Sequence, residues 1–333
     1  MPRTLNESEL LQLVDALAPG EWVSGTWLAA TSGVSREALS NRMQKLATDW
    51  QLEIEAAPGR GYRLRQPLER LTVTGLQAQL PQVWRERLQV RVVPRIDSTN
   101  SRLLAASAVA DPQALLAEMQ TGGRGRRGRK WLSPFGATLS TSLAWSFAAW
   151  PPRLTTLPLA IGVSCARTLQ RIGLQDVALK WPNDLRVGAK KLAGILVEQR
   201  GEAGAACRVV IGVGLNITPS AVQSQGVAQP WTALQAELAR RGRSLPPRDE
   251  LAAALVAALA HTCEVFERDA FAPFAADWQA LDQTRGRRVT VLAPAGDWEG
   301  VAEGVDDDGA LRVRTTAGPR LVHAGEVSLR ISE

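Results

Sequence analysis

Gly122-Gly123-Arg124-Gly125-Arg126-Arg127-Gly128-Arg129-Lys130-Trp131 places five cations and four glycines in ten residues, with no acid among them. Glycine lets a backbone approach a ligand closely, and fixed guanidiniums offer paired hydrogen bonds to phosphate or carboxylate oxygens. The run follows Ala114 to Met119, which reads as a strand, so it is a loop at a strand end. It nearly spells the Gly-x-x-x-x-Gly of a phosphate loop. Arg129-Lys130 stands where that loop needs a lysine and a hydroxyl, so an ordinary phosphate-loop NTPase is disfavoured. A solvated charge run is the bland alternative.

Outward from this loop, strands fit Val90 to Ile96, Thr138 to Trp145, Val177 to Lys180, Lys191 to Val197 and Val209 to Ile217, with helices over Leu157 to Ile172 and Asp249 to Phe266. One large sheet in an α/β or α+β domain is implied, from about residue 68 to 281. After Asp282 the pattern becomes short alternating strands, such as Val289 to Leu292 and Ala310 to Arg314, which suit a small β-barrel of about 50 residues. The Asp306-Asp307-Asp308-Gly309 cluster between them reads as a solvated turn rather than a calcium loop.

At the other end, Asn6 and Glu9 resemble a capping box ahead of Leu10, Leu13, Val14 and Leu17 at helical spacing. A second short helix fits Thr26 to Ser32. Gly33-Val34-Ser35 then turns into a third helix with Leu39, Met43 and Leu46 on one stripe. Its outer face offers Arg36, Ser40, Asn41, Gln44 and Lys45, groups able to read base edges in a major groove. Leu52 to Ile54 and Tyr62 to Leu64 alternate around Pro58-Gly59-Arg60-Gly61 as a hairpin wing, with Arg60 at its tip. The pattern is a helix-turn-helix with a wing. Residues 1–66 carry seven cations against eight acids, a net of −1, which suits a non-DNA interaction module equally. Clustering of the cations on the third helix and wing favours DNA.

A chain of 333 residues implies two or three domains, and 45% hydrophobic with 22% charged residues excludes collagen-like and disordered classes. Net charge of +6 favours a polyanionic partner. The acids Glu7 and Glu9 stand where a secretory leader would be apolar, and no apolar run reaches the length of a membrane span, so a cytoplasmic protein without membrane attachment is expected. Cys165, Cys207 and Cys263 read as reduced core thiols, and the two histidines sit in no hydrolytic motif. Lys180-Trp181-Pro182-Asn183-Asp184 and Gly212-Val213-Gly214 are weak signals singly.

Together they are specific. Asp97-Ser98-Thr99-Asn100, Gln120, Gly123 to Trp131, Lys180-Trp181-Pro182-Asn183-Asp184, Lys191-Leu192-Ala193-Gly194-Ile195 and Gly212-Val213-Gly214-Leu215-Asn216, in this order, resemble biotin protein ligases. With the helical N-terminal module and the C-terminal strands, the chain resembles the bifunctional bacterial type that is also a biotin operon repressor. The resemblance implies a multidomain α+β protein: a winged helix-turn-helix DNA-binding domain over 1–66, a mixed α/β catalytic domain of the biotin/lipoate ligase type over 68–281, and an SH3-like β-barrel over 282–333.

It also implies two reactions. Biotin and MgATP give biotinyl-5′-adenylate and pyrophosphate, and a lysine of the biotin carboxyl carrier protein of acetyl-CoA carboxylase then takes the biotinyl group. By motif position Ser98, Thr99, Asn100 and Gln120 hold the biotin end, while Gly123, Arg124, Gly125, Arg126 and Trp131 border biotin and adenylate. Gly194, Gly212 and Leu215 complete the ligand site, and Asn216 and Trp231 face adenine. Lys191, Arg126 and Asp184 are the residues assigned to the chemistry. Two loops, 122–130 and 219–229, qualify as lids over an acyl adenylate that water would hydrolyse. Operator DNA and a ligand-promoted homodimer are the implied partners. A ligase with a non-regulatory DNA-binding domain, and a biotin-sensing regulator without catalysis, are the alternatives; a lipoate-type ligase is disfavoured by the Arg-rich loop. Because the site motifs all lie between Ser98 and Trp231, removal of residues 1–66 is expected to spare most ligase activity.

Overall fold

The structure is a computed structural model that describes residues 6–106, 112–201, 206–227, 229–293, 296–324 and 328–331. Met1 to Leu5, the start of the stretch read for a leader, lie outside the described residues, as does Ala228 of the 219–229 segment. Asn6 caps α1 (Glu7–Leu17) by accepting from the Ser8 N–H, and Leu10, Leu13, Val14 and Leu17 face inward. The Glu9 carboxylate lies 2.6 Å from Arg42 of the third helix, so the residue read as half of a capping box ties two helices together. Ser24 caps α2 (Gly25–Thr31) and Ser35 caps α3 (Arg36–Asp49), both through side-chain oxygens. The hairpin β1 (Ile54–Ala57) and β2 (Gly61–Leu64) follows, with Val23 bridging to Tyr62.

Two helices not foreseen, α4 (Val73–Gln79) and α5 (Gln82–Arg87), lead into β3 (Gln89–Ile96). Then come α6 (Thr99–Ala105), β4 (Gln113–Gln120), β5 (Thr138–Phe147), α7 (Leu157–Arg171), β6 (Val177–Lys180), β7 (Asp184–Val187), β8 (Lys190–Arg200) and β9 (Cys207–Asn216). The seven strands form one sheet ordered β3-β4-β5-β9-β8-β7-β6, antiparallel except for β3 with β4. Short helices α8 (Ala221–Gly226) and α9 (Leu234–Ala239) precede α10 (Arg248–Asp269) and α11 (Ala275–Leu281).

One sheet face is sealed by α7 and α10, whose Ile161, Leu169, Val256 and Leu259 pack on Leu143, Val209 and Ile211 in the main core. The opposite face is covered only in part, where α6 seats Leu103 on Leu115, Ala144 and Val210. A sheet covered on one side and half covered on the other leaves a cleft, and the polar residues of its strands point there. Strands β10 (Arg288–Leu292), β11 (Trp298–Val305), β12 (Leu311–Thr315), β13 (Gly318–Val322) and β14 (Ser328–Ile331) form a second, five-stranded antiparallel sheet ordered β13-β12-β11-β10-β14. Its Val289, Val291, Leu311 and Val313 belong to the main core.

The N-terminal helices keep a separate core, closed by Met119 and Phe135 of the central unit. Phe135 stacks on Trp50 at 4.9 Å between centroids. The connection between the two is anchored by a buried ion pair: Glu118 accepts from the Leu71 N–H at 2.5 Å and from Arg248 at 2.9 Å, and Arg248 also donates to the Gly136 carbonyl at 2.6 Å. Burial of these charges is tolerable because hydrogen bonds hold both. The Asp306–Asp308 carboxylates are partly solvated as expected, but the turn itself is docked: Gly309 accepts a hydrogen bond from the Trp181 indole of the central unit. Cys165, Cys207 and Cys263 are buried, and burial raises their thiols, Cys165 to about 12. Among the described residues no helix is long and apolar enough to cross a membrane.

Candidate active site

Cross-strand register lays out the cleft. Ser140 pairs with Gly214, Gly214 with Gly194, Gly194 with Asp184 and Asp184 with Lys180, so these five residues share one face of the sheet. The glycines make the depression. A Cβ on Gly214 would stand 2.5–2.7 Å from three atoms of the Trp131 indole, so the ring rests directly on the backbone there. A Cβ on Gly212 would collide with the Asn100 amide in the same way. Over this floor opens a cleft lined from Ser98 and Gln120 on one side to Asn183 and Lys191 on the other.

One end is polar and neutral. Ser98 caps α6, which fixes Thr99 and Asn100 at its first turn. The Thr99 N–H and hydroxyl both donate to Gln120 Oε1, at 2.8 and 3.1 Å. Asn100 Nδ2 donates to the Leu196 carbonyl at 3.2 Å and to Glu198 at 3.0 Å. The Ser142 hydroxyl lies between Thr99 Oγ1 at 2.7 Å and Asn100 Oδ1 at 2.5 Å. Such a network holds its donors and acceptors at fixed positions for a ligand.

The other end is cationic. Lys191 Nζ is 2.6 Å from Asp184 and 5.7 Å from the Trp131 ring centroid. Arg126 donates to Asn183 Oδ1 at 3.3 Å, and its second terminal nitrogen is buried without a hydrogen-bond partner. Burial pulls the Arg126 pKa down, Arg129 and Arg127 add to that, and Asp184 opposes it. Lys180 is pulled to about 8, chiefly by burial, against Asp184 and with Arg186, Lys191 and Arg129. Arg124 is engaged with Glu198 at 2.8 Å. Cations gathered around a single cleft carboxylate, one with an unfilled donor, fit an anionic ligand. Of the five lysines in the chain, Lys130 and Lys191 line the cleft, Lys180 ends the register row beside it, and Lys190 opens β8, paired with Val187.

Ser98, Thr99, Asn100, Gln120, Arg124, Gly125, Arg126, Trp131, Asp184, Lys191, Gly194 and Gly212 therefore come together. Four others named from the sequence do not line the cleft. Gly123 lies under the Trp131 carbonyl, and the Leu215 side chain is in the core. The Asn216 amide donates to the Thr232 carbonyl at 3.1 Å and accepts from Gln223 at 2.9 Å. Trp231 flanks Lys191, whose backbone is held from both sides by Pro230 and Thr232. Sequence reasoning quoted Asn183 in a motif without giving it a role, and passed over Ser140, Thr141 and, behind the cleft, Ser142 and Glu198. The signal was there: hydroxyls at 138, 140, 141, 142 and 146 in a strand whose other residues are apolar.

The polar 219–229 stretch is folded over its described residues. Gln223 is buried and reaches both Asn216 and the Leu132 carbonyl, while the Ala221 N–H at the start of α8 donates to Glu53 of the N-terminal unit at 2.8 Å. On that unit Arg36, Ser40, Asn41, Gln44 and Lys45 all lie on the exposed side of α3. Arg60 is exposed on the hairpin turn, 4.5 Å over the Trp22 ring. Lys45 pairs with Asp49 at 2.6 Å and Arg36 donates to Thr26 at 2.5 Å.

Residues 92–216 match the biotin/lipoate A/B protein ligase family, and residues 284–330 match the biotin protein ligase C terminal domain. The chain is 39% identical over 324 residues to the bifunctional ligase/repressor BirA of Escherichia coli, covering 97% of this chain and 98% of that one. It is 34% identical over 274 residues to the biotin--[acetyl-CoA-carboxylase] ligase of Mycobacterium tuberculosis, covering 80% and 97%. The solved structure of biotin protein ligase from Aquifex aeolicus in complex with biotin and ATP matches with a TM-score of 0.63 and 28% identity, over 73% of this chain and 99% of that one. By sequence along nearly its whole length and by the fold that carries the cleft, this chain belongs to the biotin/lipoate A/B protein ligase family.

Proposed function

We propose that the protein is a biotin protein ligase and a biotin-responsive repressor. It joins biotin to AMP from ATP, releasing pyrophosphate, and passes the biotinyl group to a lysine of a biotin carboxyl carrier protein. The observation that carries this reading is the polarity of the cleft, a neutral hydrogen-bonding end facing a cationic end across the Gly212–Gly214 floor. Joining a carboxylate to a triphosphate brings like charges together, and cations fixed where that charge accumulates lower the barrier. In this reading Ser98, Thr99, Asn100 and Gln120 hold the ring end of biotin. Lys191 steadies the carboxylate during attack on phosphorus and the oxyanion during aminolysis, kept in place by Asp184. Arg126 meets the phosphate with its unfilled nitrogen. Asn216 and Trp231 stand behind the nucleotide end, where Trp231 would have to turn to stack on adenine.

Among the described residues no three His, Cys, Asp or Glu side chains gather to hold a metal. Asp184 is the carboxylate that lines the cleft. That donor set suits magnesium arriving on the phosphates of ATP rather than an ion caged by protein.

Residues 1–66 are assigned as a winged helix-turn-helix that places α3 in the major groove of operator DNA, 68–281 as the catalytic domain and 282–333 as an SH3-like barrel. A single recognition helix reads one half-site, so repression needs a homodimer. Among the described residues Leu196 to Arg200 of β8 pair with no strand but β9, which leaves a sheet edge for a second copy. A cytoplasmic location follows from the carrier and operator partners. Biotin-dependent ATP–pyrophosphate exchange, followed by a gel shift with and without biotin, tests both halves. No exchange removes the ligase, and no operator shift in either condition removes the repressor.

A further inference from the structure

We propose that Trp181 is a positioning residue of the ligase site, held from behind by the Asp306–Gly309 turn, so that the C-terminal sheet takes part in forming the adenylate. The inference rests on the ligase reading above. Trp181 is 1% exposed, and its indole N–H donates to the Gly309 carbonyl at 3.0 Å. It sits in the tight return between β6 and β7, which ends on Lys180 at one side and Asp184 at the other, paired in register. Within that return Asn183 donates to the Ile195 carbonyl at 2.7 Å and accepts from Arg126. The place of one indole therefore sets the place of a cation, a carboxylate and the residue that steadies Arg126.

The turn is built to hold. Asp306 Oδ1 accepts from the Asp308 and Ala310 N–H groups at 3.0 and 2.8 Å. Gly309 has φ +77°, a region that favours glycine. A Cβ there would come within 3.0 Å of Thr156 and 3.2 Å of Leu159, so the turn is pressed onto the start of α7. The Thr155 hydroxyl donates to the Asp308 carbonyl at 2.8 Å. A second clamp comes from Gln283, whose N–H donates to Leu179 and whose amide donates to Gly188. Strand β6 is the last of the sheet, so without these contacts the hairpin that carries Lys180 and Asp184 has an open edge.

The test uses the full chain and ATP–pyrophosphate exchange, with Trp181→Phe on one side of the contact and Gly309→Ala on the other, each first checked for a cooperative thermal transition. Trp181→Phe keeps an aromatic ring but removes the N–H together with part of the buried indole. We expect kcat to fall about fivefold to tenfold, the effect of one buried hydrogen bond, while KM for biotin stays unchanged because the Ser98 to Gln120 end is untouched. The double variant is expected to be no worse than the worse single, since both break one contact. The pH profile supplies a readout that a merely structural role would not move. Burial does most to lower the Lys180 pKa; Asp184 opposes it, and Arg186, Lys191 and Arg129 add to it. A loosened return admits water, so the alkaline limb near pH 8 should move upward in Trp181→Phe. A folded Trp181→Phe enzyme with wild-type kcat and limb, or additive losses in the double variant, would overturn the proposal. An inactive wild type would instead remove the ligase reading, and this proposal with it.

Discussion

Gly214→Ala tests the floor of the cleft directly. The added methyl would stand 2.5–2.7 Å from Cε2, Cζ2 and Nε1 of Trp131, whereas carbon contacts settle at about 3.5–4.0 Å. The indole must therefore retreat by about 1 Å. Its backbone is fixed, because the Trp131 main-chain N–H donates to the Gly123 carbonyl at 2.8 Å, and Lys191 lies above the ring. The remaining direction is into the cleft, where biotin binds in our reading. Overpacking of this kind costs about 1–3 kcal/mol, which corresponds to roughly 5- to 150-fold in affinity if the strain falls on the bound state. Titration calorimetry of the full chain with biotin measures it, with a thermal melt to separate weak binding from unfolding. Gly194→Ala is the milder comparison on the same floor. Its methyl would meet Lys191 Nζ at 3.2 Å, the far end of a flexible side chain, so biotin affinity should change by less than about threefold. A Gly214→Ala protein that binds biotin within twofold of wild type, with an unchanged melt, would refute the reasoning.

Lys191→Ala should lower turnover by roughly 30- to 1,000-fold, from a lost electrostatic contribution of about 2–4 kcal/mol, and steady-state kinetics near wild type would sink its role. Deletion of residues 1–66 should abolish operator binding and also speed adenylate loss, because Phe135 loses Trp50 and α8 loses the Glu53 contact. Glu53→Ala isolates the second effect, a cap of about 1 kcal/mol, and a dissociation rate equal to wild type would separate the two units after all. Arg248→Met leaves Glu118 buried and short of its charged partner, so urea denaturation should report a loss of about 3–5 kcal/mol; a loss under 1 kcal/mol would show that the pair does not anchor the connection.

The long strands and helices were legible because their apolar spacing is strong, and Val177 to Lys180 appears with the limits expected. Helices α4, α5 and α6 were not, since six or seven residues carry too little periodicity to separate helix from loop. Ser98-Thr99-Asn100 was recognised as a motif while its physical basis, the capped first turn of α6, was missed. The glycines of β9 were undervalued for a related reason: their use depends on Asn100 and Trp131, which arrive from elsewhere in the chain. Separability of residues 1–66 was read from motif positions alone. The contacts of Trp50 and Glu53 with the central unit join residues far apart in sequence, and no local pattern announces them. The docking of the Asp306–Gly309 turn on Trp181 was hidden for the same reason, because exposed carboxylates on a turn say nothing about where its carbonyls point.

The scarcity of lysine bears on what the enzyme does to itself. An acyl adenylate modifies amines, and guanidinium groups, which stay protonated at neutral pH, resist it. This chain carries its positive charge almost entirely as arginine, with only Lys45, Lys130, Lys180, Lys190 and Lys191 offering side-chain amines. Lys191 is occupied with Asp184 and Lys180 is shielded, which leaves Lys130 and Lys190 exposed near the cleft and Lys45 on the helical unit. A reactive intermediate that escapes thus meets few side-chain amines on the chain that made it, and four of the five stand in or beside the cleft itself.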